Sequence, residues 1–169
     1  MKLVLLRHGI AEDVAPGGDD GARPLTHAGR EKLEQGALGL SWALDTVEVW
    51  ASSPLVRAVE TARLVAAAFG EREPEELELE ELEELLPEAR PDALLPWLRR
   101  QPKSATVLLA GHAPHLSAIA AFLLGAPDPP FALKKGGACL LELDGAPGPG
   151  AARLVWLLTA GQLRRLGGE

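Results

Sequence analysis

The sequence predicts an α/β fold, a three-layer α/β/α sandwich with a mostly parallel central sheet and a C-terminal antiparallel hairpin. Three observations carry this expectation. Short apolar runs at residues 3–6, 46–51 and 106–110 each precede a segment of helical spacing, the alternation that builds a parallel sheet covered on both faces. Two later strand-like runs, residues 138–144 and 153–159, flank a Gly/Pro-rich turn in hairpin fashion. At 169 residues the chain has the length of one hydrophobic core, so residues 1–169 are expected to form one domain.

Residues 3–6 are uninterrupted leucine and valine, as in a strand buried on both faces, and the run stops at Arg7-His8-Gly9. Residues 12–24, rich in Gly, Asp and Pro without periodicity, are expected to be a loop over the end of that strand. Thr26 is placed to cap a helix running to about Leu44, with Leu33, Ala37, Leu40 and Leu44 at helical spacing. After the second strand, Ser53 is the expected N-cap and Pro54 the first residue of a helix reaching about Phe69. Residues 71–84 are dense in glutamate, with leucines at 77, 79 and 82, and suit either a short strand or an acidic, solvated helical turn. Pro91 opens an expected helix to about Arg100, with Pro96 tolerated near its first turn. Behind the strand ending at Gly111-His112 lies an apolar helical segment over residues 115–124. Trp42, Trp50, Trp97 and Trp156 are expected in or against the core.

Apolar residues make up 47% of the chain and charged ones 24%, ordinary values that exclude a disordered polymer. The net charge of −7, with no Lys/Arg stripe interleaved with aromatics, argues against nucleic acid as a partner. Any phosphorylated substrate must then be held by a few cations gathered at one point. Cys139 is the only cysteine, which leaves no intramolecular disulfide and no cysteine-based zinc site. No segment approaches about 18 apolar residues, and the N-terminal run is too short for a signal peptide. The expectation is therefore a cytoplasmic protein with no membrane partner.

Three strands end in residues competent toward phosphate: Arg7-His8-Gly9, Ser52-Ser53-Pro54 leading to Arg57, and Gly111-His112. Ligand sites of open α/β sheets lie beyond the carboxyl ends of the strands, so these segments are expected to converge there. A transferring phosphoryl group spreads charge over its oxygens, and the planar, permanently protonated fork of arginine suits it. Arg7 and Arg57 are the expected clamps, Arg57 with the added help of a helix N-terminus. His8 is the expected nucleophile, attacking phosphorus to form a phosphohistidine. Gly9 would let the backbone approach the phosphate, and His112, when protonated, would donate a hydrogen bond to it.

Ser53 lacks a Gly-x-Ser-x-Gly elbow and is assigned to capping, not to attack. His27 is an exposed helix-start residue. His112-x-x-His115 lacks the third ligand and the His-Glu-x-x-His pattern of a metal helix, so His115 is expected to be structural or to support the site from behind.

Arg7-His8-Gly9 after an apolar strand, Arg23-Pro24-Leu25-Thr26 with Gly29, Ser53-Pro54-Leu55-Val56-Arg57-Ala58 with Thr61, and Gly111-His112-Ala113-Pro114 together resemble the histidine phosphatase superfamily, above all its short SixA-like phosphohistidine phosphatases. The resemblance runs in matching order from residue 2 to about residue 124. It implies a phosphoglycerate mutase-like fold, His8 as the phosphorylated nucleophile, Arg7, Arg57 and His112 as phosphate ligands, and neither cofactor nor metal. Larger relatives take a general acid from an acidic residue between the second and third sheet motifs. Glu84, in Glu84-Leu85-Leu86-Pro87, is the candidate here. SixA-like members often lack an obvious acid, which suits phosphoramidates, whose leaving imidazole needs less help than an alkoxide. The function so implied is metal-independent hydrolysis of protein phosphohistidine. The alternatives are a phosphatase for a small phosphomonoester such as a sugar or nucleotide phosphate, and a phosphate-binding regulatory module without turnover. A mutase ranks lowest, because the short chain leaves little room for a cap that keeps an intermediate from water.

Overall fold

In a computed structural model of the chain, which describes residues 1–70 and 77–168, the apolar run before His8 forms β1 (Lys2–Arg7). In chain order follow α1 (His27–Ala43), β2 (Val49–Ser52), α2 (Val56–Ala67), β3 (Leu79–Glu81), α3 (Leu95–Leu98), β4 (Thr106–Gly111), α4 (His115–Leu124), β5 (Ala138–Leu143), β6 (Ala152–Leu158) and α5 (Ala160–Leu166). They build one six-stranded sheet in the order β3-β2-β4-β1-β5-β6. The first four of these strands run parallel, and β5 and β6 add on antiparallel. The expected sandwich and hairpin are present.

Side chains alternate across a strand, so β1 and β4 feed two cores. Val4, Leu6, Leu108 and Ala110 pack under α1, α2 and α5 against Leu33, Leu40, Val65 and Leu163. Leu3, Leu5, Val107 and Leu109 point the other way, against Leu116 and Ile119 of α4 and Leu94, Trp97 and Leu98 around α3. Burial on both faces explains why these two strands are apolar without alternation.

Register then places the site. Arg7 pairs with Gly111 and Ser52 with Ala110, and the ladders extend one step further through His8 N–H to the Gly111 carbonyl and Ser53 N–H to the Ala110 carbonyl, both 3.0 Å. Three sequence segments far apart in the chain therefore end side by side at one edge of the sheet.

Several boundaries differ from expectation. The strand expected from residue 46 starts at Val49, because pairing begins only where Glu48 meets Thr106: Glu48 N–H donates to the Thr106 carbonyl, and Thr106 N–H donates to the Glu48 carboxylate. The N-cap of α2 is Leu55, without a side-chain cap, and not Ser53, whose hydroxyl is turned toward His112. The helix expected from Pro91 is a 3-10 turn, Pro91–Leu94, followed by the single turn of α3, with Pro96 within that turn. Within residues 71–84, residues 79–81 take the strand alternative, as β3 beside β2; residues 71–76 lie outside the described residues. Trp42 is 81% exposed rather than packed. The buried stripe of α1 runs through Leu33, Ala37 and Leu40, and two residues beyond Leu40 the helix has turned about 200° away from it.

The helix α5 has no counterpart in the sequence reading, although Thr159-x-x-Gln162 is its signature: Thr159 caps the Gln162 N–H and the Gln162 side chain returns to the Thr159 N–H. It lies directly on α1, where a Cβ at Gly39 would sit 1.8 Å from the Leu163 carbonyl oxygen. Gly39→Ala is therefore expected to destabilise the fold by about 1–3 kcal/mol through backbone displacement, outweighing the gain in helix propensity of about 1 kcal/mol. Urea unfolding of the two proteins checks this; equal midpoints would refute the close-packing account. Among the described residues no helix is long and apolar enough to cross a membrane.

Candidate active site

The end of β1 delivers Arg7 and His8, the end of β4 delivers His112, and the first turn of α2 delivers Arg57. His8 and His112 are buried, with ring centroids 5.1 Å apart. His8 Nδ1 lies 2.7 Å from the Gly9 carbonyl oxygen. A carbonyl can only accept, so Nδ1 carries the proton and the lone pair sits on Nε2, the nitrogen left to act as a nucleophile.

Burial first, then the positive charges of Arg57, Arg7 and Lys135, push His8 from 6.5 down to about 4. Burial, then His8, Arg57, His115 and Arg7 push His112 down to about 3. Both rings are neutral at neutral pH. For His8 this leaves the Nε2 lone pair available. For His112, desolvation beside two guanidinium groups disfavours a third cation. Neutral His112 is still fixed through Nε2, 2.8 Å from Ser53 Oγ. Ser53 is fully buried and also accepts from Leu55 N–H at 3.3 Å, so its hydroxyl orients His112.

Between pH 6.5 and 4 the unfolded chain binds protons at these positions while the folded chain does not. Stability should fall on acidification through that window, by up to about 1.4 kcal/mol per pH unit for each histidine. A His8→Gln/His112→Gln protein should show a flatter dependence in urea unfolding between pH 7 and 5; an unchanged slope would rule out neutral buried imidazoles.

Arg7 and Arg57 share one arrangement. Arg7 Nη1 donates to the Leu133 carbonyl at 2.8 Å. Arg57 Nη1 donates to the Asp20 carbonyl at 2.8 Å and Nη2 to Asp20 Oδ2 at 3.2 Å. In each, the Nε atom is buried with no hydrogen-bond partner among the described residues. A buried unpaired guanidinium N–H carries a desolvation cost.

Thr61 links two of the motifs, accepting from Gly9 N–H at 3.1 Å and donating to the Arg57 carbonyl at 2.7 Å. Gly29 permits the start of α1 to pass Ile10, whose carbonyl oxygen a Cβ would approach to 2.2 Å, and Thr26 caps that helix. At Gly9 a Cβ would lie 2.4 Å from Leu33 Cδ1, so the packing of α1 also favours glycine there.

Glu84 stands in a half-buried 3-10 turn, where its backbone carbonyl, 3.0 Å from His115 Nε2, meets the site's supporting shell. That bond gives His115 a structural role. Sequence reasoning missed Asp20, the Leu133 carbonyl and Lys135. Asp20 stood in the Gly/Asp loop with no local pattern to mark it, and the other two follow α4, beyond the four motifs.

A family model described as the histidine phosphatase superfamily (branch 1) matches residues 3–86. An uncharacterized protein of Picosynechococcus sp. is 36% identical over 118 residues, spanning 69% of this chain and 68% of that protein. Among solved structures, the protein histidine phosphatase SixA complexed with tungstate superposes with a TM-score of 0.83 at 25% identity, over 96% of this chain and 99% of that one. A mutant phosphoserine phosphatase of Entamoeba histolytica, in complex with phosphoserine, shares the fold with a TM-score of 0.71 at 18% identity, over 96% of this chain and 98% of that one.

Proposed function

The chain belongs to the histidine phosphatase superfamily, and from that premise we propose that it hydrolyses protein phosphohistidine through a covalent intermediate on His8. The single observation that carries the reading is the fixed tautomer of His8, with Nδ1–H bound to the Gly9 carbonyl and Nε2 without a partner among the described residues.

In the first step the Nε2 lone pair attacks phosphorus and the bond to the substrate's imidazole nitrogen breaks, its electron pair leaving with that nitrogen, which takes a proton from solvent. Arg7 and Arg57 hold the phosphoryl oxygens, and His112 supports them from the position Ser53 sets. Water then attacks the phosphohistidine and the P–Nε2 bond breaks. Inorganic phosphate leaves and His8 returns to its neutral form.

The proposed substrate fits the acids at hand. A phosphomonoester wants a protonated acid beside its leaving alkoxide. The Asp20 carboxyl, which contacts Arg57, is held below the ordinary carboxylate range by Arg23 above all, so it is ionised at neutral pH and has no proton to give. An imidazole leaves with less assistance. The test is phosphate release from a phosphohistidine-bearing protein beside a panel of small phosphomonoesters, without added metal. Faster turnover of phosphohistidine is expected, and faster turnover of a sugar or nucleotide phosphate would overturn the substrate assignment. Glu84→Gln is expected to cost any residual ester hydrolysis more than phosphohistidine hydrolysis, and the reverse order would contradict that division of labour.

A further inference from the structure

We propose that Asp20 is a positioning residue for Arg57: it holds the guanidinium by one N–H of each terminal nitrogen and so fixes the direction of the N–H groups left for a phosphoryl oxygen. The proposal rests on the phosphatase reading above and assigns a role to a loop that reading does not use. Asp20 gives Arg57 two acceptors of different kinds, its backbone carbonyl on Nη1 at 2.8 Å and its carboxylate on Nη2 at 3.2 Å. Its other carboxylate oxygen accepts from Arg23 Nε at 2.7 Å, and Arg23 Nη1 donates to the Glu12 carbonyl at 3.0 Å, which ties the anchor to the start of its own loop. Arg7 is anchored on the same plan, through Nη1 to the Leu133 carbonyl with Nε unpaired. Two clamps from different elements thus share one design, but only at Arg57 does a replaceable side chain supply part of the anchor.

The opposite reading is that the Asp20 carboxylate competes with the phosphoryl group for Arg57. Its exposure argues against this. The Asp20 side chain is 69% exposed and the Arg57 side chain 5%. The carboxylate is therefore bathed in high-dielectric solvent, where its repulsion of a bound anion is screened. The guanidinium it orients is buried, and there a fixed direction of each N–H matters most. Arginine is rich in rotamers, so an anchor that fixes the fork before binding removes an ordering cost from the ligand's affinity.

The test is calorimetric titration of inorganic phosphate into wild type, Asp20→Ala and Asp20→Asn, with unfolding midpoints measured alongside. Asp20→Ala is expected to bind phosphate about tenfold more weakly, the loss of one charged hydrogen bond, whereas Asp20→Asn, whose amide oxygen still accepts from Nη2, stays within about threefold of wild type. Tighter binding by Asp20→Ala would establish the competitor instead and overturn the proposal. So would equal affinity, or an Asp20→Asn protein as weak as Asp20→Ala, since the role rests on where the acceptor stands. If wild type binds no phosphate, the phosphatase reading falls and this proposal with it, an outcome distinct from a difference between variants.

Discussion

Replacing His8 with alanine is expected to lower phosphate release by about 10⁴-fold or more, the scale on which a nucleophile removed from a covalent mechanism is felt. No neighbouring group can take its place. His112 is engaged with Ser53 through Nε2, and Ser53 itself is fully buried between His112 and the start of α2. The variant should nevertheless keep the phosphate site, because Arg7 and Arg57 are anchored by Leu133 and Asp20 and not by the imidazole. Binding of inorganic phosphate should survive while turnover vanishes. An alkaline quench of wild type during turnover should trap a phosphorylated chain, and the same quench of His8→Ala should trap none. Turnover persisting in His8→Ala would overturn the mechanism.

The next largest effect is expected from Arg57→Lys, which should reduce kcat/KM by about 10²–10³ despite conserving charge. Arg57 places one N–H of Nη1 and one of Nη2 on Asp20 and has further N–H groups in the same plane for the ligand, and an ammonium cannot divide its donors in that planar way. The lysine would also lie in a buried position, where its charge is more costly to hold than that of a weakly hydrated guanidinium. Measuring kcat/KM with unfolding midpoints separates lost stabilisation of the phosphoryl group from lost folding. Activity near wild type would show that charge alone suffices at this position.

How much of this was legible beforehand differs from residue to residue. His8 and His112 were readable because each closes an apolar strand run, and a strand end is the one place where such a run can present a polar residue to a ligand. Arg57 was readable from its spacing after Pro54, although the cap assigned to Ser53 proved to be Leu55. Asp20 was not. Its neighbours carry no periodicity, and its significance lies in a contact 37 residues distant along the chain. Helix α5 had a legible capping box, but its partner surface on α1 was written as glycines, which a pattern search reads as weakness in a helix and not as room for another backbone.

The sequence by itself therefore determined what depends on near neighbours: the apolar runs of β1 and β4, the Thr26 cap, the α4 segment, and the order of the four motifs that identify the chemistry. Only the tertiary structure decided what depends on groups far apart in the chain. The parallel register sets Arg7 beside Gly111 and Ser52 beside Ala110. Burial makes both histidines neutral, and the loop contact aims Arg57. The division has a physical cause: secondary structure and caps are fixed by interactions a few residues long, whereas desolvation and the aim of a guanidinium arise only when distant segments exclude water from one another.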